Sequence, residues 1–184
     1  MPGNVDYAVT DALALGQQSN LGYLIWHQGL CGQVLNVDCG KGAVNAVVAS
    51  TCNLGSGSCG VDLIGKTWRT LTGNQSPGET QCQVSLSTQN PIQGSGPLCF
   101  YRPNSPTDNP YYTEVGVLNM NGRIPSSASL AGINGRKNSG DGYFSFNSGG
   151  LFTKDATVTF NFQDGSNVSF QLRNCASGGE THIF

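Results

Sequence analysis

Two tyrosines, Tyr111 and Tyr112, are adjacent in a chain in which only 9% of the residues are aromatic. They open the stretch YYTEVGVLN, whose period-2 pattern predicts a β-strand. Neighbouring side chains of a strand point to opposite faces, so both rings are exposed only if the strand begins at Tyr112 or is distorted there. Pro110, directly before the pair, makes such a start possible. The alternative is one tyrosine in the core and one at the surface.

Seven cysteines could be zinc ligands, reactive thiols or disulfide halves. They stand at positions 31, 39, 52, 59, 82, 99 and 175, with no CxxC pair and no histidine in a cysteine cluster. Because zinc sites use such spacings, we expect no metal. Disulfides of an oxidising compartment are the better interpretation, and the odd count leaves one thiol free or bonded to another chain. Cys52 and Cys59 could close one loop, while Cys99 and Cys175 bracket the second half.

Composition and charge limit the partners. The 184 residues carry a formal net charge of −2, which predicts no basic surface for nucleic acid or for an anionic membrane. No run approaches about 18 apolar residues, so no membrane-spanning helix is predicted. The start MPGNVDYAVT lacks the pattern of a secretion signal, and any such signal is expected to have been removed or never present. A neutral partner and no cofactor are expected.

The elements that must position these residues are mostly short strands. In the first half, VLNVDC, AVNAVVAST and CQVSLST have strand patterns, and VDLIGKTWRTLTG spaces Leu63, Ile64, Trp68 and Leu71 as a short amphipathic helix that Gly73 ends. The Pro/Gly/Ser-rich stretch QNPIQGSGP marks a boundary. We therefore predict domains at 1–91 and 98–184 with a linker at 92–97.

The second half reads as a β-sandwich made only of strands. Its clearest signal is Asp164-Gly165 between two alternating runs, which predicts a hairpin. Three alternating apolar residues of the first strand then share a face, as do three of the second strand: Val158, Phe160 and Phe162, and Val168, Phe170 and Leu172.

The order of these segments carries a resemblance over nearly the whole chain. The runs GLCGQVLNVDC, AVNAVVASTC, CGVDLIGKTWRTL and GETQCQVSLS resemble the six-stranded double-psi β-barrel of expansins. The runs NPYYTEVGVLNMNG, GYFSFNSGGLF and ATVTFNFQDGSNVSF are similar to the expansin carbohydrate-binding domain, an immunoglobulin-like β-sandwich. The fold class implied is all-β. Where plant members have CGxC, this sequence has CGQV, which indicates a divergent or microbial-type member.

The resemblance implies a secreted, monomeric protein that binds cellulose, xylan or mixed-linkage glucan and loosens cell walls without hydrolysis. In the family's second domain, aromatics at the positions of Tyr111 and Tyr112 belong to a linear stacking platform for glucan. A third platform ring is expected near SGDGYF, where the family's aromatic aligns with Asp141 and Tyr143 is the substitute. For Tyr143, core packing is the alternative.

Asp62 is the residue of the first half that the resemblance singles out. It falls on the aspartate that acts as general acid in related family-45 glycoside hydrolases. Inverting hydrolysis needs a second carboxylate about 6.5–9.5 Å away, and where bacterial relatives carry one this sequence has Ser50 or Thr51. A hydroxyl cannot serve as that base near neutral pH, so binding rather than cleavage is expected. The alternative role of Asp62 is to cap the N-terminus of the helix.

Weaker candidates complete the sequence-based site. Thr10 follows the position of a glucan-contacting threonine on the family's first strand. Trp26 and Trp68 are both assigned to the core, so the first half is expected to lack a flat aromatic stack. Three acids are expected to be solvated rather than catalytic: Asp6, Asp11 and Glu114.

Two other functions stay open. A weak endoglucanase or lytic transglycosylase on the same barrel would need a second acid, for which Asp11 and Asp38 are the residues to test. A structural wall or matrix protein would keep the fold without a tyrosine platform.

Overall fold

The computed structural model describes residues 6–52, 57–94 and 96–177. Residue 95 of the predicted linker, residues 53–56 of the loop CNLGSGSC and residues 178–184 of the predicted sandwich lie outside the described residues. Most of the ordered elements are strands, so the prediction of a mostly β protein is confirmed. In these ranges no helix is long and apolar enough to cross a membrane.

The first half builds one mixed sheet in the order β4-β1-β3-β2-β5. Its strands are β1 (Asp11–Leu15), β2 (Val34–Asp38), β3 (Ala43–Thr51), β4 (Val61–Leu63) and β5 (Gln83–Leu86), and short 3₁₀ segments cover Ser19–Leu24 and Gln28–Leu30. Strands β1 and β3 run parallel, and the other pairs are antiparallel. Five strands pair in this sheet within the described ranges, so closure of a six-stranded barrel stays a prediction.

One irregularity in this sheet affects the site. Leu13 of β1 is opposite Val48 of β3, but the next residue, Ala14, is opposite Ser50. Ala49 is therefore the extra residue of a β-bulge, which changes the side to which the following residues point. Val48 is buried, and Ser50 is exposed.

Helix α1 (Gly65–Thr72) is shorter than the sequence predicts: Val61–Leu63 form strand β4, and Ile64 is the N-cap of the helix. Leu71 and Thr67 form its buried side, and the Thr67 hydroxyl donates a hydrogen bond to Asp11 Oδ1 at 2.8 Å. The helix ends at Gly73, whose φ of 70° is the left-handed conformation that a helix C-terminus favours for glycine.

The second half consists of two antiparallel four-stranded sheets. Their strands are β6 (Leu98–Tyr101), β7 (Tyr112–Leu118), β8 (Pro125–Leu130), β9 (Ile133–Asn134), β10 (Arg136–Lys137), β11 (Phe144–Asn147), β12 (Thr157–Phe162) and β13 (Asn167–Gln171), followed by a 3₁₀ turn at Leu172–Asn174. The first sheet has the order β10-β11-β7-β6, and the second has the order β13-β12-β8-β9.

The core of the second half is rich in aromatic rings. Phe144 meets Phe160 edge to face at 6.0 Å, and Phe146 meets Phe152 at 6.4 Å. The predicted hairpin is confirmed, with Gly165 at φ 83° in its turn. The alternating apolar residues of both strands of this hairpin belong to this core or pack against it.

Three disulfides lie within the halves rather than between them. Cys52 pairs with Cys59 and Cys99 with Cys175, as the sequence indicates, while the pair Cys39–Cys82 was not predicted. Cys31 is the free thiol. No cluster of three His, Cys, Asp or Glu side chains suited to a metal forms in the described part of the chain.

The two halves pack against each other near the predicted linker. Ile92, at the start of that linker, is buried with Phe100 and Leu118, and its backbone bonds to the Asn119 side chain. Ile124 of the second half packs into the core of the first. The division into two domains stays a prediction, and contacts of both polar and apolar kinds cross the proposed boundary.

Candidate functional site

Asp62 and Ser50 lie in one row across three strands. Asp62 of β4 is opposite Ala14 of β1, and Ala14 is opposite Ser50 of β3. Both outer residues are exposed. Two strand spacings of roughly 4.8 Å place their Cα atoms about 10 Å apart. The sheet thus brings the predicted acid and one of the two predicted hydroxyls to the same surface.

Asp62 is not the N-cap of the helix, so that alternative role is wrong. The N-cap of α1 is Ile64, and no side chain caps the helix. Asp62 is instead two residues upstream, within β4, where the strand holds its side chain at the surface. Within the described ranges, no side chain bonds to its carboxylate.

The acids that would make a catalytic pair with Asp62 are engaged elsewhere. Asp11 is half-buried and accepts the hydrogen bond of Thr67, which corrects the expectation that it is simply solvated. Asp38 accepts a hydrogen bond from the Gly40 amide at 2.8 Å, in the turn between β2 and β3. Asp38 is opposite Ala43, which is seven residues and thus about 23 Å along β3 from Ser50.

The remaining hydroxyls of the first half are less well placed. Thr51 is opposite Leu15, one residue beyond the Asp62 row, and is half-buried. Thr10 is exposed immediately before β1, four residues from Ala14. Ser50 is therefore the hydroxyl that shares a row with the acid.

Trp26 is a core residue with 6% of its surface exposed, as predicted, but Trp68 is not. Trp68 is half-buried and lines a groove of about 260 Å³ together with Asp62, Gly65 and Arg69. The expectation that Trp68 packs in the core is wrong because the buried side of α1 is formed by Thr67 and Leu71.

Tyr111 and Tyr112 point into different surroundings. Strand β7 begins at Tyr112, which is the start that the exposure of both rings requires. Tyr111 is 61% exposed, and its ring lies over Gly150, where a Cβ would come within 3.3 Å of the Tyr111 ring. Tyr112 is half-buried, and its hydroxyl donates a hydrogen bond to the Glu114 carboxylate. Neither ring is in the core.

Glu114 is the functional candidate that the sequence interpretation missed. The residue is only 7% exposed, which corrects the expectation of a solvated acid. Arg102 Nη1 donates to its Oε2 at 3.0 Å, and Asn138 Nδ2 donates to its Oε1 at 2.9 Å. Burial raises the pKa of the Glu114 carboxyl, but the hydrogen bonds from Asn138, Arg102 and Tyr112 outweigh burial and hold the pKa below its usual value. The carboxylate is thus kept ionised.

This buried acid lines a polar groove of about 550 Å³, together with Arg102, Asn138 and Asp141. Arg102 also pairs with Asp141, with Nε to Oδ2 at 3.1 Å, so one guanidinium connects two carboxylates. The period of two along β7 was an available signal, because it places Glu114 on the same face as Tyr112.

Tyr143 stands on that same face of the sheet, at the junction with the first half. Its ring lies over Gly116, where a Cβ would come within 3.0 Å of it. With Cys31, Gly116 and Phe100 it lines a small cavity between the halves. Burial raises the pKa of the Tyr143 hydroxyl, and the nearby Cys31 and Asp141 raise it further. Tyr112 and Tyr143 thus flank Glu114, and the Cα atoms of Tyr112 and Gly116 are separated by about 13 Å along β7.

Comparison with solved structures identifies this architecture. The crystal structure of the apo expansin of Clavibacter michiganensis superposes with a TM-score of 0.64 at 17% identity, covering 98% of this chain and 94% of that one. The chain has the expansin fold. The resemblance read from the sequence is thus confirmed for the fold.

A second expansin structure matches equally well. It is an aspartate-to-asparagine mutant of the Clavibacter michiganensis expansin in complex with cellohexaose, with a TM-score of 0.64 and 18% identity over 95% of this chain and 83% of that one. No protein-family model matches the sequence, and no curated protein matches it. The likeness to expansins is therefore carried by structure rather than by sequence identity.

Proposed function

We propose that the chain is a non-hydrolytic, expansin-like protein that binds cellulose or a related glucan and loosens contacts between wall polysaccharides. In this proposal residues 1–91 form a double-psi β-barrel and residues 98–184 form an immunoglobulin-like carbohydrate-binding sandwich. The observation that carries it is the row that joins Asp62 to Ser50. At the place where inverting hydrolysis requires a second carboxylate, the row ends in a hydroxyl.

A lone carboxylate and a hydroxyl can compete for a glucan chain without cutting it. Glucan chains cohere through hydroxyl hydrogen bonds and stacked ring faces. Asp62 accepts hydrogen bonds from sugar hydroxyls, and Ser50 both donates and accepts them. Each net hydrogen bond contributes only about 0.5–1.5 kcal/mol, so many contacts along an extended surface are needed. Loosening then follows from binding that replaces contacts between chains.

The second half supplies the aromatic part of the proposed surface. Tyr111 offers an exposed ring, and Tyr112 offers a ring that Glu114 holds in place. Tyr143 is proposed to extend this surface toward the first half, because it lines a cavity together with Cys31 of that half. Thr10 and Thr51 are secondary contacts in this proposal. No cofactor or metal takes part.

The proposed setting is extracellular. Three disulfides in a chain of 184 residues support an oxidising compartment, and a net charge of −2 suits a neutral polysaccharide better than nucleic acid or an anionic membrane. The protein is proposed to act as a monomer.

The test is retention of the full chain on insoluble cellulose, combined with a reducing-sugar assay of the supernatant. The proposal expects retention without sugar release. Retention with release would instead identify a weak endoglucanase or lytic transglycosylase. No retention would identify a structural wall protein that keeps the fold alone.

A further inference from the structure

A groove on the first half places an indole ring beside the Asp62 carboxylate. It holds about 260 Å³ and is lined by residues of β4, of α1 and of the turn after the helix. Among them are Asp62, Trp68, Arg69 and Pro77. From this arrangement we propose that Trp68 forms a sugar-stacking subsite, so that the first half contributes an aromatic contact of its own to a bound β-glucan. The inference rests on the proposed function and adds a second aromatic contact to it.

The orientation of the Trp68 ring is fixed by the end of its own helix. Gly73 and Asn74 have φ values of 70° and 64°, and two successive left-handed residues reverse the chain after α1. The reversal is held by the Asn74 amide, which donates to the Arg69 carbonyl at 2.8 Å. The turn places the Gln75 carbonyl beside the indole of Trp68, whose Nε1 donates a hydrogen bond to it at 3.0 Å. The single polar atom of the ring is thereby satisfied, and what the ring offers a ligand is its apolar surface.

The chemistry of the groove suits a neutral sugar ring. A pyranose has an apolar face of C–H groups and an edge of hydroxyls, so it needs a flat ring on one side and acceptors at its rim. Trp68 is the flat ring, and Asp62 is an exposed acceptor without a side-chain partner in the described part of the chain. A basic ligand is disfavoured because Arg69 lines the same groove, and an aromatic ligand would leave the carboxylate unused.

The placement also separates this subsite from the tyrosines of the second half. Trp68 and Asp62 belong to α1 and β4, while Tyr111 and Tyr112 stand at the start of β7. A glucan held at both places contacts both halves of the chain. The expectation that the first half lacks an aromatic stack is replaced by a single ring beside the acid.

Iodide quenching of tryptophan fluorescence tests the subsite in the unmodified protein. The chain has two tryptophans, and Trp26 is only 6% exposed, so iodide reports mainly on Trp68. Saturating cellohexaose should lower the quenching constant by roughly twofold or more. A ligand seated in a pocket is in close contact with the side chains that line it, so the sugar shields the Trp68 ring from iodide. Sorbitol at the same hydroxyl concentration should leave it unchanged. An unchanged quenching constant in protein that is saturated with cellohexaose overturns the proposal.

Variants give an independent measurement of affinity. Trp68→Ala should weaken cellohexaose binding by about tenfold, within the range for loss of one stacking ring, whereas Trp68→Phe should retain most of the affinity. Tyr23→Ala is the matched control, since Tyr23 is 67% exposed in the same half and does not line the groove. Equal affinity of Trp68→Ala and wild type contradicts the subsite while leaving the proposed function intact. Failure of the wild type to bind any glucan contradicts both, and the two failures are therefore distinguishable.

Discussion

The two candidate surfaces use their acids in opposite ways. Asp62 of the first half is exposed, and within the described ranges no side chain bonds to it. Glu114 of the second half is 7% exposed and accepts hydrogen bonds from Arg102, Asn138 and Tyr112. A carboxylate whose acceptor sites are already occupied fixes its neighbours, while an open carboxylate is available to a ligand. We therefore expect Asp62 to be required for wall loosening, and Glu114 to hold the neighbouring side chains of the second half in position.

The largest expected effect is that of Asp62→Asn. The substitution keeps the shape of the side chain and removes its charge, so wall extension should be abolished. Cellulose retention through the second half should be nearly unchanged, because the tyrosines are untouched. A wall-extension assay and a cellulose pull-down on the same preparation provide the two measurements. If the wild type releases sugar from a soluble glucan and Asp62→Asn stops it, the protein is a hydrolase and the proposed function is wrong.

The double variant Tyr111→Ala with Tyr112→Ala should weaken cellulose binding by at least about tenfold, since each stacked ring contributes roughly 1–3 kcal/mol. The contribution of the Tyr112 ring to binding can be distinguished from that of its hydroxyl. Tyr112→Phe keeps the ring and removes only the bond to Glu114, and it is the matched control for the ring itself. Binding isotherms on crystalline cellulose give the result, and an unchanged affinity of the double variant would remove the tyrosine platform from the proposal.

Glu114→Gln should lower the free energy of unfolding by on the order of 1 kcal/mol, because it removes the charge that Arg102 and Asn138 address. The folded-state pKa of Glu114 is held below its unfolded value. Its contribution to stability is therefore present above the unfolded pKa, near 4.3, and is lost as the pH falls through the folded pKa. Urea unfolding at pH 7 and near pH 3 measures both. The difference between wild type and Glu114→Gln should shrink at the lower pH, and a constant difference would argue against the ionised network.

The smallest expected effect is a gain of function in Ser50→Asp. The variant places a second carboxylate in the Asp62 row, where the two Cα atoms are about 10 Å apart. Inverting hydrolysis uses two carboxyl groups about 6.5–9.5 Å apart. We expect trace release of reducing sugars from a soluble glucan, above the wild-type level. Ser50→Asn, which has the same shape without the charge, is the control. Equal release by both variants would mean that the row does not determine hydrolytic competence.

Much of the fold follows from local signals in the sequence. Strand β3 covers the nine residues that the pattern predicts, and the Asp164-Gly165 hairpin forms because alternation and turn chemistry agree there. The pair Cys39–Cys82 could not be predicted, because it joins segments that come together only through the pairing of β2 with β5.

The errors at the site have physical causes that hydropathy does not reveal. Trp68 was assigned to the core, but α1 is rotated so that Thr67 is buried instead, which its hydrogen bond to Asp11 makes possible. Glu114 is buried because Arg102 and Asn138 reach it from other segments. The sequence could not show whether Ser50 or Thr51 lies on the same surface as Asp62, because the answer depends on the bulge at Ala49. Regular alternation from the buried Val48 would have pointed the Ser50 side chain inward.

That bulge also makes the strand beside the acid unusually suited to engineering. In a regular strand, two neighbouring codons change two opposite faces of the sheet. Here Ala49 and Ser50 together stand opposite the single residue Ala14, next to Asp62. A small library that varies only these two positions would therefore diversify one continuous patch of surface. A selection for new glycan specificities could begin there without changing side chains on the buried face of the sheet.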